Sequence, residues 1–175
     1  MRSTLIPVFV VWMCASVGTT SLIGTDLAEM SREARTIALG RVVAVDGRWA
    51  GDRRRIETLV TLQAESYLKG ALGDEVQFLV PGGQLGRYRH LVMGAPQFTV
   101  GQRIVVFLGA RGPSILYVLG LSQGLFHVTP RDGEAIVTPP MLLAAPGTTR
   151  GDPARRPMRL DEFTRQVRAL AGGVR

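Results

Sequence analysis

Three groups of residues in this chain have types and spacings that chemistry could use. Gly120-Leu121-Ser122-Gln123-Gly124 fits G-x-S-x-G, the turn that presents a nucleophilic serine in α/β-hydrolases. That chemistry needs a strand, a tight turn and a helix in succession, with a carboxylate and a histidine at a distance. Here another β-like run, Leu125–Val128, follows at once, and His127 lies only five residues beyond Ser122. The competing reading is a strand corner or bulge whose two glycines supply backbone freedom while Ser122 and Gln123 bond locally. The second group is the two histidines, His90 and His127. A zinc site takes three or four ligands at short spacings, and no such spacing occurs, so no metal is expected. The carboxylates Asp132 with Glu134 and Asp161-Glu162 belong to a turn and a helix start, where the second pair complements the helix dipole. No acid/base pair stands out. No catalytic residue and no cofactor are expected.

The third group is arginine. Arg48-Trp49 and Arg53-Arg54-Arg55 share one loop, 46–55, and form the densest basic cluster beside an aromatic. Guanidinium groups next to an indole grip phosphates, sulfates or an acidic protein surface. Arg87, Arg89 and His90 make a second, smaller cluster. The alternative for both is a solvated hairpin tip, with Trp49 folded back onto the protein. Nucleic-acid barrels stack bases on aromatics presented by the sheet. At 6% aromatic content, with those residues alternating with core-like aliphatics, such a platform is disfavoured. The net charge is +7, but only Lys69 is lysine and asparagine is absent. That usage reflects a GC-rich coding sequence more simply than a phosphate-binding face, although a positive field still attracts acidic partners.

One domain has to position these residues. At 175 residues the chain can bury a sizeable core but is short for two, and 46% hydrophobic with 20% charged residues is a globular balance. Residues 1–18, or as far as 24, read as a signal peptide. Arg2 supplies the positive start, Leu5–Val17 is apolar except for Pro7 and Ser16, and Ser16 and Gly18 suit cleavage after Gly18. An uncleaved anchor is the alternative, because no charge separates Arg2 from Asp26. The polar Gly18-Thr19-Thr20-Ser21 tail shortens the apolar run below the roughly 20 residues that span a bilayer, which favours cleavage. Met13 is too large for a lipoprotein signal before Cys14. Cleavage removes Cys14, the one cysteine, so the exported chain has neither disulfide nor thiolate. The expected location is periplasmic or extracellular.

The strand signals fill residues 25–138. Thr25 or Asp26 caps a short helix with Leu27, Met30 and Ala34 on one face. From Thr36 to Val45 the chain reads as a strand apolar on both faces, central or curved, with Gly40 at a bend. Ile56–Glu65 alternates as a half-buried strand, with Leu59 out of pattern. Val76, Phe78 and Val80 form another, ended by Pro81-Gly82-Gly83. Tyr88–Met93 is a weaker strand whose arginines leave its buried face undefined. Arg103–Leu108 and Ile115–Leu119 pair across a Gly/Pro turn, and Gly120–Gly124 leads into a third run. Asp132-Gly133 marks a type I′ hairpin before Ala135-Ile136-Val137. Residues 139–158, rich in Pro and Gly, read as a loop or linker. Residues 159–173 read as a C-terminal helix, its stripe of Leu160, Phe163, Val167 and Leu170 packed on the outside of the sheet. Six to eight short strands without intervening helices indicate a mainly β barrel or sandwich with a helix at each end.

Some of these residues carry a resemblance. Gly40-Arg41-Val42 early in a strand, Tyr67-Leu68-Lys69-Gly70 at the end of the next, and Phe98-Thr99-Val100-Gly101 before Val105–Leu108 together resemble the netrin-type domain shared with tissue inhibitors of metalloproteinases. More closely, LKG, PGG (Pro81, Gly82, Gly83), GAPxFxVG (Gly94, Pro96, Phe98, Gly101) and GLSQGxFxV (Gly120, Ser122, Gln123, Gly124), in that order, resemble a group of exported bacterial proteins without an assigned activity. The match covers Leu27–Val128. It implies an OB-like closed or partly open antiparallel β-barrel with a short N-terminal helix and a C-terminal amphipathic helix, an extracellular location, and protein binding. In the inhibitors a cysteine at the mature N-terminus presents its amino group and carbonyl to the target's zinc. No residue here inherits that role. The expectation is an exported, non-enzymatic module that binds a protein or cell-envelope partner, in a protease-inhibitor-like manner in its most specific form. Arg48, Trp49, Arg53, Arg54, Arg55, Arg87, Arg89 and His90 are the expected contact residues. Gly40, Lys69, Gly70 and the motif residues named above are expected to be structural. The alternatives are a small secreted serine hydrolase using Ser122 and a polyanion- or nucleic-acid-binding barrel using the Arg53–Arg55 loop. Membrane contact is expected only through an uncleaved leader, and the oligomeric state is left open.

Overall fold

The computed structural model of the chain describes residues 26–51, 53–112, 115–140 and 156–172. The expected leader with Cys14, and most of the expected linker, lie outside the described residues. Helix α1 (Leu27–Glu33) is capped by Asp26, whose carboxylate accepts from the Ala28 N–H at 3.2 Å. Leu27, Met30 and Ala34 are buried together. At the other end the Lys69 ammonium donates to the carbonyls of Ser31 at 3.0 Å and Arg32 at 2.8 Å. These are acceptors that a helix leaves unpaired, at the negative end of its dipole. The one lysine therefore ties the second strand to α1.

Strands β1 (Thr36–Trp49) and β2 (Ile56–Lys69) pair antiparallel over their length. At 14 residues each they are longer than the short strands the sequence indicates. β1 takes in Asp46–Trp49 because Arg48 faces Glu57, bonding at 2.9 Å, and Trp49 pairs with Ile56. Arg48 and Trp49 are thus strand residues and not, as expected, loop residues. β3 (Glu75–Pro81) pairs with β2. A separate hairpin follows, β4 (Gly83–Leu85) with β5 (Tyr88–His90), so the strand expected over Tyr88–Met93 stops at His90 and Met93 enters a turn. Next come β6 (Arg103–Arg111), β7 (Ile115–Val118), a 3-10 turn at Leu121–Gly124, β8 (Leu125–Arg131) and β9 (Glu134–Thr138). Asp132 and Gly133 take φ of 52° and 80°, the positive values a type I′ turn requires. Met158-Arg159 form β10 on β9, where the sequence indicates the last residue of the linker and the first of the helix, because Met158 buries its side chain in the core. Helix α2 (Leu160–Gly172) follows, with Phe163 and Val167 buried.

The fold is mainly β. Its large sheet runs β1-β2-β3-β7-β6-β8-β9-β10, and β1 also pairs with β6, so five strands form a ring. The expected all-antiparallel arrangement fails at one seam, where β3 and β7 run parallel at Leu79 and Tyr117. Residues 82–102 carry the chain from the end of β3 to β6, which runs antiparallel to β1. The β6–β7 turn then brings β7 back in β3's direction.

Two cores lie on opposite faces of β1 and β6. Ala38, Val42, Leu62, Phe78, Ile104 and Val106 belong to the cluster inside the ring. Ile37, Leu39, Val105 and Phe107 point the other way and meet α1, α2 and β8. There Phe126 links Phe107, at 5.5 Å between ring centroids, to Phe163 at 4.9 Å. Gly40 is forced by contact. A Cβ there would lie 2.2 Å from the Gln63 carbonyl oxygen, at a register shift between the paired strands. Gly40→Val should therefore lower the unfolding free energy in urea by about 2–3 kcal/mol. Gly51→Ala, with nothing within 4 Å, should leave the midpoint unchanged. Lys69→Met, which keeps the stem but loses the carbonyl contacts, should cost about 1 kcal/mol.

Candidate functional site

The far end of β1 meets the β4–β5 hairpin. Gly47 approaches β4 so closely that a Cβ would fall 1.9 Å from the Gln84 carbonyl oxygen. Two residues on, Trp49 rests against Tyr88, with ring centroids 5.6 Å apart and planes at 57°. The Arg87 guanidinium lies over the Tyr88 ring, 5.1 Å from its centroid, and donates to the Tyr88 hydroxyl at 3.0 Å. The two hairpins that carry the arginine clusters of the sequence thereby meet at an exposed aromatic pair. Trp49 is 40% and Tyr88 49% exposed. Arg48 pairs with Glu57, whereas Arg53 and Arg89 make no ion pair among the described residues. His90 differs from the other expected contact residues. It is half-buried, with Nδ1 3.3 Å from the Ile56 carbonyl oxygen, and so helps seat the hairpin on β2. Tyr88 is not legible in the sequence as a contact residue, because nothing local says that its hairpin folds against Trp49.

The expected structural residues hold this surface in place. Pro81-Gly82-Gly83 turns the chain off β3 tightly against β2. The Gly82 N–H donates to the Ile56 carbonyl at 3.0 Å, and the Thr58 hydroxyl donates to the Gly82 carbonyl at 2.8 Å. A Cβ on Gly83, whose φ is 136°, would lie 2.2 Å from that hydroxyl oxygen. Pro96 is buried, and Phe98 packs edge-on to Phe78 at 5.5 Å, covering the end of the ring. The Arg41 guanidinium donates to the Gly101 carbonyl at 2.9 Å. A groove of about 410 Å³ runs beside the hairpin, lined by Gly83, Arg89, His90, Leu91, Pro96 and Phe98 among others.

Ser122 sits at a corner. β7 and β8 lie on the same edge of β6, with Val118 opposite Leu108 and Leu125 opposite Val106. The 3-10 turn between them takes the chain out of the ring toward the helices. Gly120 and Leu121 adopt φ of 59° and 56°, and a Cβ on Gly124 would lie 2.3 Å from the Leu119 carbonyl oxygen. The Ser122 N–H donates to the Gly94 carbonyl at 2.9 Å. A strand, not a helix, follows Gly124, so the frame that a nucleophile elbow requires does not surround Ser122. Among the described residues no group of three or more His, Cys, Asp or Glu could hold a metal ion. No helix among them is long and apolar enough to cross a membrane. Comparison with protein-family models, curated proteins and solved structures finds no match to the chain.

His127 on β8 is half-buried in a cleft that Arg41, Arg103 and Glu134 also line, and burial lowers its pKa from the usual 6.5. The folded chain therefore binds the proton less readily than the unfolded one. The stability this group contributes is complete above pH 6.5 and is lost as pH falls below it. The urea midpoint should drop between pH 7.5 and pH 5.5, and His127→Gln should flatten that drop.

Proposed function

We propose that the chain is an exported, non-enzymatic binding module built on an OB-like barrel, and that the face around Trp49 and Tyr88 meets a protein or another cell-envelope component. The carrying observation is the convergence of two arginine-bearing hairpins on one exposed aromatic pair. Trp, Tyr and Arg are the residue types that dominate binding hot spots. Here their backbones are tied to a closed ring, so little order has to be gained on binding. The OB reading is supported by the strand order β1-β2-β3-β7-β6 with β1 returning to β6, which fits a five-stranded, partly open Greek-key barrel that binds through its loops. Export rests on residues 1–18, and a protease-inhibitor-like role rests on the netrin-type resemblance. A polyanion is the second occupant this chemistry supports, because the Arg53 and Arg89 guanidiniums are without ionic partners among the described residues.

The test is capture from a detergent-solubilised envelope fraction. Replacing Arg53, Arg87 and Arg89 together by Glu, or Trp49 and Tyr88 by Ala, should lower capture by about tenfold or more. Arg165→Glu on α2 should leave it unchanged. Capture that ignores both sets of substitutions, or retention of neither protein nor lipid from the envelope, removes the proposal. Ester and peptide panels should show no turnover. Turnover that vanishes in Ser122→Ala would overturn the non-enzymatic reading.

A further inference from the structure

Past Tyr88 the chain exposes aliphatic side chains that no packing accounts for. Leu91 is 72% and Met93 is 93% exposed. Met93 stands at the corner of a turn closed by the Ala95 N–H on the Val92 carbonyl at 3.1 Å, with Gly94 at φ 78°. That is the pattern of a type II turn with glycine third. The Ser122 N–H holds the same turn from behind through the Gly94 carbonyl. Met93 is therefore carried on a fixed, outward-pointing tip. Within the same seven residues Arg87 and Arg89 alternate with Tyr88 and precede Leu91, while Trp49 approaches from the β1–β2 hairpin, where Arg53 lines a hollow with it.

We infer that this face docks on an anionic phospholipid surface, with Met93 and Leu91 entering the acyl boundary, Trp49 and Tyr88 at headgroup level, and Arg53, Arg87 and Arg89 against the phosphates. The inference rests on the binding face proposed above and names its occupant. An anionic glycan or nucleic acid would engage the arginines but leave Leu91 and Met93 in water. A protein would need a preformed pocket for each projecting side chain. A bilayer boundary needs none, since it deforms around convex apolar tips and favours amphipathic rings and cations at its rim. Membrane contact then does not depend on an uncleaved leader, which is where the sequence alone puts it.

The test uses residues 19–175, which omit the apolar leader. Among the described residues, both hydrophobic cores are assembled from side chains from Leu27 onward. Trp12 leaves with the leader, so Trp49 is the sole tryptophan and reports on its own surroundings. The chain is mixed with vesicles of phosphatidylcholine alone or blended with phosphatidylglycerol, at low and high salt. Expected are co-sedimentation with the anionic vesicles, a blue shift of Trp49 emission, and binding weaker by about tenfold or more on the neutral vesicles or at high salt. Leu91→Ser with Met93→Ser should lower partitioning about tenfold or more, and each of Arg87→Gln and Arg89→Gln about fivefold. The inference is overturned if the anionic vesicles are not bound, or are bound equally well without Leu91 and Met93. If vesicles are ignored but arginine-dependent capture of an envelope protein persists, the lipid falls and the binding face stands. Arginine-dependent retention on heparin, with vesicles ignored, would give the face to a polyanion.

Discussion

Ile37–Arg41 of β1 are paired on both edges, with β2 on one side and β6 on the other, and the rest of the molecule depends on that double pairing. It closes the ring and divides the apolar side chains between two cores. Alternation along β6 sends Ile104, Val106 and Leu108 inward and Val105 and Phe107 toward the helices. β1 does the same with Ala38 against Ile37 and Leu39. A slip of one residue would drive Phe107 into a ring already filled by Phe78 and Leu62 and would face the helices with smaller groups, so the register is strongly specified. Gly40 belongs to the same constraint, since the bulged β2 backbone passes where its side chain would be.

A closed ring has an end that must be covered. Residues 82–102 do this with Ala95 and Phe98 against the interior and with backbone ties at Gly82, Gly94 and Gly101. The chain between the first two ties is held at both ends, yet has no core of its own to enter. Its side chains at Arg87, Tyr88, Arg89, Leu91 and Met93 are consequently presented outward from a rigid mount. This is the usual division between a scaffold and the loops that carry function. The exposed aromatics and arginines are in this sense a by-product of how the ring is sealed, available for recognition because packing has no use for them.

The arginines divide by partner, not by residue type. Arg48 with Glu57, Arg103 with Glu65 and Arg159 with Glu134 are surface pairs. Arg103 is bound through two nitrogens, at 2.6 and 2.8 Å to one carboxylate oxygen. Exposed pairs of this kind contribute about 0–1 kcal/mol each, so stability resides in the two cores. Arg41 and Lys69 are different again, spending their charge on backbone carbonyls that strands and helix leave open. The net charge of +7 therefore says little by itself. What matters is that Arg53 and Arg89, on the two hairpins that meet at Trp49 and Tyr88, make no ion pair among the described residues.

Local chemistry was legible in advance wherever it acts over a few residues. Asp26 as one of two candidate caps, the apolar run of β6, the Asp132-Gly133 turn and the Phe163–Val167 stripe all follow from the local sequence, because hydrogen-bond reach and side-chain periodicity are short-range properties. The glycines of PGG and GLSQG were legible as places of special backbone, but not the contacts that demand them, since those come from Thr58 on β2 and the chain's own path out of β7. The parallel seam between β3 and β7, the extension of β1 through Trp49 and the seating of Tyr88 against it were decided only by the closed fold. Each joins residues far apart in sequence, and their encounter depends on how the intervening chain is returned. The sequence by itself determined where the main apolar strand runs lie, but not β4, β10 or the full length of β1. Tertiary structure decided which exposed side chains would be neighbours, because surface proximity is set by ring closure and leaves no periodic trace in the order of residues.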